Sequence, residues 1–257
     1  MILDKFKLDG KVAVITGASR GIGLAIAKAF AEAGAEIVAS SRTANPSALQ
    51  EIDEAGDGRK VEYVQADMED PAAPKRLIDE ALRLKGRIDI LVINHGVAGH
   101  GPTESFPFEK YRQIMTTNLD SLFLCCQHVI EPMRRQKGGV ILAIGSISGL
   151  ISNIPQAQAA YNASKAAVHM FTQSMASDYA AENIRVNSIA PGYIGTDMTQ
   201  VHFDGPEWGP TWKSQTPMGR MGTVDEIATA ALFMCSEASS YVTGEVLGVS
   251  GGMGCGA

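Results

Sequence analysis

Short apolar runs alternate along the chain with longer stretches of helical periodicity. Val12-Ala13-Val14-Ile15, Ile37-Val38-Ala39, Val61–Val64, Ile88–Ile93, Val140–Ile144, Arg185–Ala190 and Glu245–Val249 read as strands. Ala25–Glu32, Pro71–Leu84, Leu119–Arg135, Ala159–Ala181 and Val224–Ser236 read as helices between them. Strands alternating with helices imply βαβ units, and hence an α/β fold with a doubly wound parallel sheet and helices on both faces. No internal repeat, charge block or low-complexity linker divides the chain, so 1–257 is expected to be a single domain. One stretch breaks the pattern. Thr196–Gly222 holds Asp204-Gly205-Pro206, Gly209-Pro210, Pro217, Trp208 and Trp212, and is too long for an ordinary connection. It reads either as a surface excursion with its own small cluster or as a substrate lid, the expectation carried forward for about 196–222.

Composition narrows the function. The 257 residues are 45% hydrophobic and 19% charged, enough for a buried core and too little charge for a disordered chain. A net charge of −6, from 22 basic and 28 acidic residues, argues against a strongly basic nucleic-acid binder. Cys125, Cys126, Cys235 and Cys255 have no metal-ligand spacing, nor do His95, His100, His128, His169 and His202, so no metal is expected. Met1–Phe6 lacks an apolar signal core and no apolar run is long enough to span a bilayer. A soluble protein of a reducing compartment, the cytoplasm, is expected.

Thr16-Gly17-Ala18-Ser19-Arg20-Gly21-Ile22-Gly23 joins the first strand to the first helix. The glycines permit a tight turn and close backbone approach to a pyrophosphate, and the helix N-terminus favours the anion. This is the position of the phosphate-binding turn in a Rossmann fold. The second strand ends in Ser40-Ser41-Arg42, with no carboxylate to engage ribose hydroxyls or repel a 2′-phosphate. Arg20 and Arg42 are cations at the two places where a 2′-phosphate would lie, so NADP(H) is expected over NAD(H). The alternative is that Arg42 is a solvated strand-end residue.

Tyr161-Asn162-Ala163-Ser164-Lys165 opens a long helix and puts Tyr161 and Lys165, at i and i+4, on one face. An adjacent ammonium favours the phenolate of a tyrosine whose free pKa is near 10. Ser146 ends the preceding strand and Asn118 starts another helix.

With these motifs in order, the chain resembles the short-chain dehydrogenase/reductase family over essentially its whole length, and within it the polyol dehydrogenase and ketose reductase branch of galactitol, mannitol and sorbose enzymes. The resemblance implies a catalytic tetrad of Asn118, Ser146, Tyr161 and Lys165. Tyr161 would exchange a proton with the substrate oxygen and Ser146 would hydrogen-bond the reacting carbonyl. Lys165 would bind the nicotinamide ribose and depress the Tyr161 pKa, and Asn118 would hold a water. The cofactor set it implies is Gly17, Ser19, Arg20, Gly21, Ile22, Gly23, Ser41, Arg42, Asp67, Met68, Asn94, Gly96, Tyr161, Lys165, Pro191, Gly192, Ile194, Thr196 and Met198. The resemblance implies that helices at about Leu119–Arg135 and Ala159–Ala181 pair between subunits; a homotetramer is expected, with a dimer as the alternative.

Two departures stand out. Asn94-His95-Gly96 replaces the family's usual Asn-Ala-Gly, so His95 is either a packed histidine or a substrate contact. Ser250-Gly251-Gly252 replaces Asp-Gly-Gly. Asn153, Pro155, Gln156 and the run Ala166–His169 resemble the polyol branch, and amides suit a hydroxyl-rich substrate because they donate and accept. Ser148, Asn153, Trp208 and Trp212 are the expected substrate contacts. A ketose or other small-ketone reductase is the leading expectation. A 3-oxoacyl-[acyl-carrier-protein] reductase is the alternative, for which Arg134, Arg135 and Lys137 offer positive charge while Glu182 opposes it. A non-catalytic NADP-binding regulatory protein is the alternative of another class.

Overall fold

Every position of β1 (Val12–Thr16) and β4 (Ile90–Ile93) is buried, as continuous apolar runs demand of strands covered on both faces. In the computed structural model these strands belong to one parallel sheet with β2 (Glu36–Ser41), β3 (Glu62–Gln65), β5 (Gly139–Ile144), β6 (Ile184–Pro191) and β7 (Val246–Val249). The structure describes residues 1–254, apart from the side chains of Asp197 and Met198. Strand order is β3-β2-β1-β4-β5-β6-β7, with every pairing parallel.

The helices are α1 (Gly21–Glu32), α2 (Pro46–Ala55), α3 (Ala73–Lys85), α4 (Phe108–Met115), α5 (Ser121–Arg135), α6 (Ala159–Tyr179), α7 (Asp197–Asp204), α8 (Gly209–Gln215) and α9 (Val224–Cys235). Two core layers flank the sheet. Leu77 of α3, Val129 of α5 and Val168 of α6 pack on one face, and Ile26 and Phe30 of α1 with Ile227 of α9 pack on the other. The sheet is doubly wound, as the alternating pattern predicts. Its order reverses between β1 and β4, and the carboxyl ends of those strands open a crevice where such folds take their ligands.

α2 and α4 were not legible in the pattern. α2 buries Ala48 and Ile52, and α4 buries Ile114. So few core positions give little periodicity, and such short helices depend on tertiary packing. The 196–222 segment contains α7 and α8, with Phe203 and Trp212 buried beneath them. Among the described residues, no helix is long and apolar enough to cross a membrane, and no group of acidic, histidine and cysteine side chains is placed to hold a metal.

Arg185 of β6 ties the sheet to the end of α9. Its guanidinium donates to the carbonyls of Met234 and Val242, both at 3.0 Å, and of Ser236 at 3.1 Å. Arg185→Met keeps an apolar stem but loses these charge-assisted bonds, and is expected to cost about 2–3 kcal/mol in denaturant unfolding. A loss under about 0.5 kcal/mol would mean that water replaces the guanidinium without penalty.

Candidate active site

The turn after β1 is built around close backbone approach. Gly17 has φ +67°, and Asn94 from the end of β4 donates through Nδ2 to the carbonyls of Thr16 (3.1 Å) and Gly17 (3.2 Å). A Cβ on Gly23 would stand 2.2 Å from the Gly17 carbonyl oxygen, so helix and turn touch only because Gly23 has none. No side chain caps α1, which leaves its first N–H groups available to an anion. Asn45, which the sequence reading overlooked, donates to the Ser19 carbonyl at 2.9 Å and accepts from Ala48 N. It fastens the turn to the segment carrying Arg42. Ser41 is buried and its hydroxyl donates to Thr43 O at 2.8 Å, while Arg20 and Arg42 are exposed beside it.

A cleft of about 1150 Å³ follows the crevice, lined by Gly17, Ser19–Ile22, Ser41, Arg42, Asp67, Met68, Asn94–Gly96 and Thr196 among others. Gly23 supports the turn from behind. Pro191 ends β6 and Gly192 follows it, with Gly192 N donating to Val249 O; neither lines this cleft, and Ile194 lines a separate cavity of about 600 Å³ with Met253. Met198 lies outside the described side chains. The Ser40 and Thr117 hydroxyls are buried along this cleft without a partner among the described residues. Unpaired buried hydroxyls, open N–H groups and a turn with no room for Cβ fit a bound dinucleotide.

The reactive candidates gather around Lys165, which stands beside Gly96 of this cleft. Ser146 follows β5, and its Oγ accepts from Ser148 N at 3.1 Å. Tyr161 lies in the first turn of α6, with its phenol near enough to the Ser146 hydroxyl for that hydroxyl to lower its pKa. Lys165, one turn on, places Nζ 5.8 Å from the Tyr161 ring centroid and donates to Ile144 O at 2.9 Å. Burial pushes the Lys165 pKa down to about 8. It also raises Tyr161 above the ordinary tyrosine value, outweighing the Ser146 hydroxyl that lowers it. The depressed Tyr161 pKa expected from sequence adjacency is thus not what this structure has, because desolvation prevails.

Asn118 sits in a π-helical turn, Thr116–Asp120, leading into α5. Its Oδ1 accepts from Val97 N at 2.8 Å, and its Nδ2 donates to Val97 O and Ser164 Oγ, both at 3.0 Å. The amide therefore pins the loop after β4. A Cβ on Gly96 would lie 3.2 Å from Asn118 Oδ1 and 3.5 Å from Lys165 Nζ. His95 is packed: its ring nitrogens meet the Thr16 and Ser121 hydroxyls. Burial and the Lys165 charge push its pKa down to about 3, so it is neutral.

The four expected substrate contacts form a different arrangement. Gln158, one turn before Tyr161, lies at a hub that sequence reasoning missed. Its Nε2 is 3.1 Å from Ser148 Oγ, 2.9 Å from Asn153 Oδ1 and 2.8 Å from Asn162 Oδ1. An amide has two protons, so one of three acceptors is always left over. Asn153 also donates to Tyr193 OH at 3.3 Å. Trp212 is buried, stacked on Tyr193 at 4.0 Å, and donates to Gln156 Oε1 at 3.0 Å. Trp208 stands between His100 (5.0 Å) and His202 (4.3 Å), both of which line the cleft.

A family model described as enoyl-(acyl carrier protein) reductase matches residues 17–254. Galactitol 2-dehydrogenase (L-tagatose-forming) of Cereibacter sphaeroides is 41% identical over 249 residues, covering 96% of each chain. The 3-oxoacyl-[acyl-carrier-protein] reductase FabG of Chlamydia muridarum is 39% identical over 248 residues, covering 96% of this chain and 98% of its own. The crystal structure of a gluconate 5-dehydrogenase from Burkholderia cenocepacia in complex with NADP and tartrate superposes with a TM-score of 0.92 at 35% identity, covering 100% of both chains. The chain belongs to the short-chain dehydrogenase/reductase family and is an oxidoreductase acting on CH–OH groups.

Gly23→Ala is expected to displace the Gly17 carbonyl and weaken NADPH binding by at least about tenfold (~1.4 kcal/mol), read by quenching of tryptophan fluorescence. Unchanged binding would show that the turn has slack the structure does not reveal.

Proposed function

We propose that the chain is an NADP(H)-dependent oxidoreductase that interconverts a ketose or similar small ketone and its secondary alcohol, with Tyr161 as the proton donor and acceptor. The observation that carries this reading is the grouping of buried Ser146, half-buried Tyr161 and buried Lys165, with Lys165 beside Gly96, a residue of the cleft that begins on a glycine turn. A bound nicotinamide supplies or accepts the hydride. The side chains handle the oxygen. The Ser146 hydroxyl donates to it as negative charge develops, and the Tyr161 phenol delivers the proton. A phenol whose pKa stands above the ordinary value is protonated at neutral pH, the form that reduction needs. Reduction is therefore expected to hold through neutral pH and fall in alkali, while alcohol oxidation climbs with pH as phenolate forms. Oxidation that is fastest in acid would contradict the role.

For the cofactor, the support is two exposed guanidiniums and no carboxylate at the end of β2. Arg42→Ala is expected to weaken NADPH binding about ten- to a hundredfold and leave NADH nearly unaffected, because a charge-assisted bond to phosphate is lost. Equal effects on both cofactors would remove Arg42 from the 2′-phosphate site.

For the substrate, the support is the amide and hydroxyl cluster around Gln158, whose leftover acceptor suits a sugar hydroxyl, together with the galactitol relative. The carrier-protein reading has less to stand on. Arg134 is held by Glu182 at 2.5 and 3.0 Å and by Glu131 at 2.8 Å, so its charge is already matched. The 196–222 segment would act as the lid over the substrate, with Trp208 at its edge. The exposed Phe123 and Met170 on α5 and α6 support helix pairing in a homotetramer. Tyr161→Phe is the decisive variant. Turnover should fall about 10²–10⁴-fold with NADPH binding retained. Full turnover would remove Tyr161 from the chemistry, and a wild-type protein that binds NADPH but turns nothing over would favour the regulatory reading.

A further inference from the structure

His169 lies two turns beyond Tyr161 on α6 and has no part in the proton transfer described above. It is 4% exposed, and its ring fills the space between two glycines. A Cβ on Gly145 would stand 2.1 Å from its Cε1, and one on Gly149 would stand 2.6 Å from its Cδ2. Nε2 is 2.9 Å from the Ser146 carbonyl oxygen, and Nδ1 is 2.9 Å from Ser188 Oγ on β6. A carbonyl only accepts, so Nε2 carries a proton, and in the neutral ring Nδ1 then accepts from Ser188. Burial foremost, opposed by the Ser146 bond, and the neighbouring Lys165 charge hold the His169 pKa below the ordinary value, which keeps that neutral form. The groups facing the ring are Ser146 from the strand end, Ser188 from β6, and Lys165 from its own helix, the one charge among them.

One turn earlier, Lys165 donates to Ile144 O. Residues two apart on an extended chain present their groups on the same side. The helix that carries Tyr161 thus grips alternate carbonyls, of Ile144 and Ser146, at the end of β5. We infer that His169 is a positioning residue for the reaction: its Nε2–H holds the Ser146 backbone, and so keeps the Ser146 hydroxyl facing the Tyr161 phenol. The inference rests on the reading of Ser146 and Tyr161 as the reacting pair. Its consequence reaches beyond packing. The Ser146 hydroxyl restrains the upward shift of Tyr161, so a displaced Ser146 lets the phenol titrate higher still.

The test uses three variants of the full chain, His169→Met, His169→Asn and His169→Gln, each checked by thermal melting and by NADPH binding. Methionine fills space without donating. Asparagine places its amide at the level of Nδ1 and reaches Ser188 only, whereas glutamine reaches the Ser146 carbonyl. Ultraviolet difference titration reads the Tyr161 phenol without any substrate, with Tyr161→Phe assigning its share among the six tyrosines. Expected is an upward move of the Tyr161 transition by about one pH unit in the Met and Asn variants and none in Gln, together with a loss of about ten- to a hundredfold in kcat for L-tagatose reduction that Gln largely restores. If the Met variant fails to fold, Asn against Gln decides. Equal impairment of Asn and Gln, or an unmoved Tyr161 transition in both, would overturn the inference and leave His169 as packing alone. Full turnover by Tyr161→Phe would instead bring down the reacting pair itself, and the inference with it.

Discussion

Lys165 carries an ammonium into the interior, and the Ile144 carbonyl at 2.9 Å is its partner there. An unpaired buried ammonium would cost several kcal/mol. That one bond therefore ties α6 to the end of β5, and much of the site takes its place from it. Tyr161 comes one turn earlier on the same face, within reach of Ser146 just beyond the strand. Gly96 lies against Asn118 and Lys165, where a Cβ would press on the Asn118 amide and touch the Lys165 ammonium. His95 is neutral partly because the Lys165 charge stands near. Burial, in turn, brings Lys165 itself to about 8, close enough to neutrality for its charge to respond to what binds beside it.

The sheet divides the labour. Reversal of strand order between β1 and β4 leaves a crevice in which backbone, not side chain, would meet the phosphates of the proposed cofactor. Asn94 and Asn45 support that backbone from two sides, one from β4 and one from the segment after β2. Across β4 and β5 the character changes to side-chain chemistry, with a hydroxyl, a phenol and an ammonium in a buried setting. Hydrogen bonds there gain strength from the low dielectric, and any left unmade are costly. The end proposed for the substrate is a third environment, built from amides and hydroxyls around Gln158 and bordered by the stacked Tyr193 and Trp212.

The sheet, the glycine turn and the pairing of Tyr161 with Lys165 were legible in the sequence because each rests on local spacing: continuous apolar runs, a strand-turn-helix junction, and an i, i+4 interval. What escaped notice depends on partners far away in the chain. Asn45 is an ordinary helix cap by sequence, and only the fold sets it against Ser19. Gln158 sits in a polar stretch that periodicity reads as loop, yet it is 7% exposed. His169 and Ser188 meet across two elements. Trp212, expected at the substrate, is buried and stacked on Tyr193, because one indole and one phenol bury more apolar surface together than apart. The Tyr161 pKa was misjudged for a related reason: adjacency to a cation is visible in sequence, and desolvation is not.

The most direct measurement is oxidation of NADPH and of NADH by the purified protein against ketohexoses, ketopentoses, simple alkyl and aryl ketones, and a 3-oxoacyl thioester. Fast NADPH-dependent turnover of the sugars, with NADH poorly used and the thioester slow, is the result the proposed function expects from Tyr161, the amide cluster around Gln158, and Arg20 and Arg42. Preference for the thioester, or for NADH, would contradict it.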